Sequence, residues 1–68
     1  MIKNKLSTLM GEKRISIAEV ARMTNISYNA VYNIYHNKTA SIDFGTLDKL
    51  CWALECKIGD LFEYIEKA

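Results

Sequence analysis

The side chains with chemistry to offer gather between Ser16 and Lys38, in SIAEVARMTNISYNAVYNIYHNK. Within it, Tyr28, Asn29, Tyr32, Asn33 and His36 recur at helical spacing. With Tyr28 at zero and about 100° per residue, these five fall on an arc from about 0 to 140°. Ala30, Val31 and Ile34 fall at about 200–300°, the side that must face a core, with Tyr35 at the border. The outward arc holds no acid and no aliphatic side chain. A row of phenols and amides has little use in a core and direct use in a DNA groove, where base edges present donors and acceptors. Catalysis finds no comparable set. Two cysteines, Cys51 and Cys56, and one histidine do not make a metal site, and no nucleophile–base pair or phosphate loop is visible.

Such a row works only if rigid elements hold it, and the pattern predicts five helices and no strands. The first spans about Lys3 to Glu12, with Leu6, Leu9 and Met10 inward and Gly11 fraying its end. The second opens at Ser16, where Ser16-x-x-Glu19 has the form of a capping box, and buries Ile17, Val20 and Ala21. The third is capped by Ser27. The turn before it, Thr24-Asn25-Ile26-Ser27, places Asn25 where positive φ is needed, and Asn37 is suited to a left-handed C-terminal cap. The fourth follows Ser41-Ile42-Asp43, with Asp43 as a cap or first-turn acid and a stripe of Phe44, Leu47, Leu50, Cys51 and Leu54. Trp52 lies off that stripe and should be partly exposed unless the fifth helix covers it. The fifth, from about Ile58 to Glu66, offers Leu61, Phe62 and Ile65.

Composition narrows the class. Sixty-eight residues, half of them apolar and a quarter charged, suit one small globular domain, with no proline, repeat or linker. The longest apolar run is too short to span a bilayer, and the amphipathic start lacks the apolar core of a signal peptide, so a cytoplasmic protein with reduced thiols is expected. Net charge is only +1. Its distribution is uneven: residues 1–38 hold six cations against two acids, and residues 39–68 hold three against six. A basic half (+4) is joined to an acidic half (−3), so one face can approach phosphates while the other repels them.

With Ile15, Ser16, Val20, Ala21, Ile26, Ser27, Val31, Ile34, Lys38, Leu47, Leu50, Ala53 and Leu54 in their places, the chain resembles the lambda-repressor-like helix-turn-helix family (Cro, phage repressors and the XRE group) over roughly residues 3–65. The fold this implies is all-α, five helices, with the motif at helices two and three. Departures are specific. Asn25 and Asn37 stand at family glycines and keep positive φ accessible. Glu55 stands at a third glycine and tolerates that geometry less well. Ile17 replaces a glutamine that touches phosphate and braces the recognition helix, and the proline before helix four is absent.

The resemblance implies roles by position. Side chains near the start of the second helix of such a motif reach base edges, so Tyr28, Asn29, Tyr32 and Asn33 are the expected readers. Asn pairs bidentately with adenine and an aromatic edge packs on the thymine methyl; with no Arg or Lys on the arc, an A·T-leaning half-site is expected. Ser27, His36, Asn37 and Lys38 are the expected phosphate contacts. So few cations imply weak binding with a shallow salt slope, hence a homodimer on half-sites about 34 Å apart. Trp52, Leu61, Tyr64 and Ile65 are the candidate dimer contacts. The reading is a transcriptional regulator, most simply a repressor, that partners double-stranded DNA and needs no cofactor, small ligand or membrane. The alternative is a protein-interaction module on the same scaffold; an enzyme ranks third.

Overall fold

Each of the three central helices begins where a side chain replaces a missing backbone acceptor. In the computed structural model, which describes residues 1–66, Ser16, Ser27 and Asp43 accept from the backbone N–H three residues on, at 3.1, 3.1 and 3.2 Å. They open α2 (Ile17–Thr24), α3 (Tyr28–Tyr35) and α4 (Phe44–Leu54). The reach-back of Glu19 differs from a full capping box, because its carboxylate accepts from the Ser16 hydroxyl at 3.3 Å. Hydrogen bonds from Thr46, side chain first and backbone second, hold the Asp43 carboxyl below its ordinary value.

Helix ends follow one rule with unequal residues. Arg14, Asn37 and Glu55 adopt left-handed backbone after α1 (Leu6–Lys13), α3 and α4, with φ of 54°, 59° and 50°. Each closes a Schellman motif: Ile15 donates to the Met10 carbonyl, Lys38 to Asn33, and Cys56 to Cys51, at 3.0, 2.8 and 3.1 Å. Gly11 therefore stays inside α1 instead of fraying it. The same motif brings Cys51 and Cys56 together as two half-buried free thiols, and burial followed by the neighbouring Cys51 pushes the Cys56 thiol up.

One core collects a contribution from every helix. Leu6 and Met10 of α1, Val20 of α2, Val31 and Ile34 of α3, Leu50 and Leu54 of α4, and Leu61 of α5 (Ile58–Leu61) are buried together. Leu9, Ile17, Ala21, Leu47 and Cys51 pack partly buried around them. Two expectations fail here. Phe44 is 88 % exposed, since its place at the mouth of α4 turns it off the stripe that Leu47, Leu50 and Leu54 share. Leu61 is completely buried, so its side chain belongs to the core and is not available as a dimer contact.

The chain ends also depart from an all-helical reading. Ile2–Asn4 (β1) and Phe62–Tyr64 (β2) pair antiparallel, Ile2 opposite Tyr64, Lys3 opposite Glu63 and Asn4 opposite Phe62. Helix one therefore starts at Leu6 rather than Lys3. Helix five is a single turn, capped by Asp60 accepting from the Lys57 N–H at 3.0 Å, and ends where Phe62 turns extended. Phe62, Tyr64 and Ile65 are side chains that favour strands. Bonds across the ends extend the ribbon, with the Ile65 N–H donating to Met1 at 2.7 Å. Helices still make the fold, and the ribbon ties its two ends.

Candidate nucleic-acid interface

The angle between α2 and α3 is set at the turn between them. Asn25 takes φ 58° and ψ 24°, the left-handed conformation that Asn tolerates because its short amide can bond locally. Thr24, the buried polar residue among those described, bridges the turn. Its hydroxyl donates to the Val20 carbonyl at 2.7 Å and accepts from the Ile26 N–H at 3.3 Å. Both the donor and the carbonyl are satisfied away from water, so the turn is stiff at little cost. Sequence reading assigned Thr24 no task; a threonine one residue before the positive-φ position was the available signal. Ile17, where a polar contact was expected in the family, is half-buried against the core instead.

A second brace comes from the ribbon. The Asn4 amide donates to the Ile34 carbonyl at 2.7 Å, while its oxygen accepts from the Leu6 N–H at 2.9 Å. One side chain thus caps α1 and holds the last turn of α3. This contact spans 30 residues, so no local pattern announces it.

On α3 the expected partition holds side chain by side chain. Val31 and Ile34 are buried, Ala30 and Tyr35 are intermediate, and Tyr28, Asn29, Tyr32, Asn33 and His36 are exposed. The rings form a ladder along the helix. Tyr28 and Tyr32 stack at 6.3 Å between centroids, Tyr32 and His36 lie at 4.3 Å, and Tyr35 meets His36 edge-on at 4.9 Å. These contacts hold the rings upright and restrict their rotamers, which lowers the ordering cost of any later contact. Among the described residues, the Asn29 and Asn33 amides have no protein partner, and they stand one turn apart with donors and acceptors free.

The ladder is not free of charge, as the residue pattern had implied. Lys38 lies beyond the helix, yet the left-handed turn at Asn37 swings it back until its ammonium sits 5.4 Å from the Tyr32 ring centroid. A cation thus stands over the middle of this row. Ser27, Asn37 and Lys38 are exposed around the two ends of α3, where the unpaired amides of a helix start and a basic side chain suit anions.

A hollow lies elsewhere. It is an open groove of about 990 Å³ between the ribbon and the loop before α4, lined by Ile2, Ile34, Ile42, Leu47 and Phe62 among others. Lys3 is the lining residue with an ionisable side chain, so the groove gathers no acid–base pair. None of the described helices is long and apolar enough to cross a membrane.

With this geometry in view, comparison with known proteins is direct. A family model described as the Cro/C1-type HTH DNA-binding domain matches residues 5–67. The uncharacterized HTH-type transcriptional regulator YozG of Bacillus subtilis (strain 168) is 27 % identical over 59 residues, covering 87 % of this chain and 70 % of that protein.

Proposed function

The chain belongs to the Cro/C1-type helix-turn-helix DNA-binding domains, and on that premise we propose that it regulates transcription by reading a major groove with α3. The observation that carries the reading is the pair of free amides, Asn29 and Asn33, on the exposed side of a helix whose cap, turn and far end are all fixed. Placed in a groove, each amide offers the donor and acceptor that adenine N7 and N6 require, while the Tyr28 and Tyr32 edges suit the thymine methyl. Ser27, His36 and Asn37 border that row, Lys38 stands over it, and these four take phosphates. The named relative, an HTH-type transcriptional regulator, supports the same role.

Affinity per domain is modest on this reading. Lys38 is the cation standing over the row, and each phosphate neutralised adds about 0.9 to the slope of log K against log salt. A single-domain unit with a shallow slope gains useful occupancy by binding as a homodimer to two half-sites about 34 Å apart. Occlusion of a promoter by such a dimer makes it a repressor.

Selection from a random duplex library tests the reading. An A·T-leaning half-site repeated with two-fold symmetry is expected, and Asn29→Ala with Asn33→Ala should erase the preference while leaving the circular-dichroism spectrum unchanged. No enrichment and no mobility shift at low salt would reject DNA reading. That result would favour a protein-interaction module, for which the exposed Phe44 and Trp52 of α4 are the supporting observation.

A further inference from the structure

The outward side of α4 has a composition of its own. Gly45, Asp48 and Lys49 lie within about 60° of Trp52 around the helix, opposite the half-buried Leu47 and the buried Leu50 and Leu54. All four are exposed, and Trp52 is 66 % so despite its size. Gly45 has no intrachain need to be glycine: its φ is not left-handed, and a Cβ there would meet only the Asp43 carboxylate at 3.6 Å. It leaves a notch in the face two helical turns from the indole.

From this arrangement we infer that α4 packs antiparallel on the α4 of a second copy, about a two-fold axis passing between Asp48 and Lys49. Each indole then lies in the other copy's Gly45 notch, and each Asp48 carboxylate meets Lys49 of the second copy. Charge selects this register. An axis on Asp48 faces Phe44 with Trp52 but sets two carboxylates against each other, and an axis on Lys49 opposes two ammoniums. Only the intermediate register turns both repulsions into two symmetric ion pairs, as an isologous contact requires. The inference deepens the homodimer reading above and rests on it. α4 has eleven residues, about 16 Å of helix, so this face alone falls short of the roughly 1,200 Å² of a stable interface. The dimer is therefore weak in solution and completed by paired half-sites, where the second copy binds at high effective concentration.

Sedimentation equilibrium of the full chain, with circular dichroism to check folding, tests it. Trp52→Ala should raise the dimer dissociation constant at least about tenfold, as loss of a central aromatic anchor does. Lys49→Glu should do the same by opposing Asp48, and the double variant Asp48→Lys, Lys49→Glu should return the constant to near wild type. Gly45→Leu, which favours the helix but fills the notch, should also weaken association. A wild type that stays monomeric at millimolar concentration, or a double variant as weak as Lys49→Glu, overturns the proposal. Affinity for a duplex carrying one half-site should be unchanged in Trp52→Ala. If it falls with association intact, the α4 interface is refuted; if wild type dimerises but binds no duplex, the groove reading fails while this one stands.

Discussion

α3 is entered through Ser27 and left through Asn37; α4 is entered through Asp43 and left through Glu55. Both caps accept a backbone N–H three residues on, and both ends close a Schellman motif through a left-handed residue other than glycine. Both helices send a stripe of aliphatic residues to the same core. Their outward rows then diverge. That of α3 is amides and stacked rings with a lysine curled over them, whereas that of α4 is a glycine notch, an adjacent acid and base, and an uncovered indole. Local grammar makes the two helices alike, and only the exposed rows set them apart. Each helix keeps an exposed row that folding does not use.

The buried side of each helix carries the largest expected effects. Leu50→Ala should cost about 2–5 kcal/mol of stability in urea unfolding, and Val31→Ala a smaller sum of the same kind, since each empties core space. Trp52→Ala on the same helix should leave monomer stability within about 0.5 kcal/mol. Equal losses at Leu50 and Trp52 would mean that the α4 rows are not separate in function.

The turn that aims α3 comes next in size. Thr24→Val keeps the shape but strands the Ile26 N–H, so about 1–3 kcal/mol should be lost. DNA affinity should fall further than stability explains, because the aim of α3 is loosened; a mobility-shift titration well below the unfolding midpoint separates the two.

The two caps differ in a way that pH exposes. Ser27→Ala should cost about 1 kcal/mol at any pH between 3 and 8. Asp43 caps as a carboxylate whose pKa is lowered by folding, so its contribution is complete above the ordinary carboxylate range and disappears as pH falls through the lowered value. Asp43→Asn should therefore lose part of the wild-type slope of stability against pH on the acid side, read from urea midpoints, while Ser27→Ala leaves that slope intact.

The ends give the smallest effect and the opposite sign. Glu55→Gly should stabilise by about 0.5–1 kcal/mol, because φ of 50° strains any residue with a Cβ. Asn37→Gly should gain no more than a few tenths, since Asn bears the same geometry with less strain. A larger gain at Asn37 would mean that the two ends are not equivalent motifs.

Most of α3 was legible because it depends on short-range rules. Spacing of three and four sorted Val31 and Ile34 from Tyr28, Asn29, Tyr32 and Asn33, and steric limits on φ pointed to Asn25 and Asn37. Phe44 misled because it sits in the first turn of α4 at the edge of the stripe, and it stays outside the core cluster. Trp52 was correctly set apart from that stripe. Lys38 was read as an end-of-helix cation, and its position over Tyr32 came only with the path of the chain after Asn37.

Short-range rules were enough for the caps at Ser16 and Ser27, the left-handed turns at Asn25 and Asn37, and the polar row of α3, since each follows from contacts among residues no more than five apart. Only the packed fold fixed the ribbon of Ile2–Asn4 with Phe62–Tyr64 and the bond from Asn4 to the last turn of α3. These join the two ends of the chain, or its start to its middle. A three-residue strand has no periodicity of its own, and its backbone groups choose a partner only once the helices have brought that partner within reach.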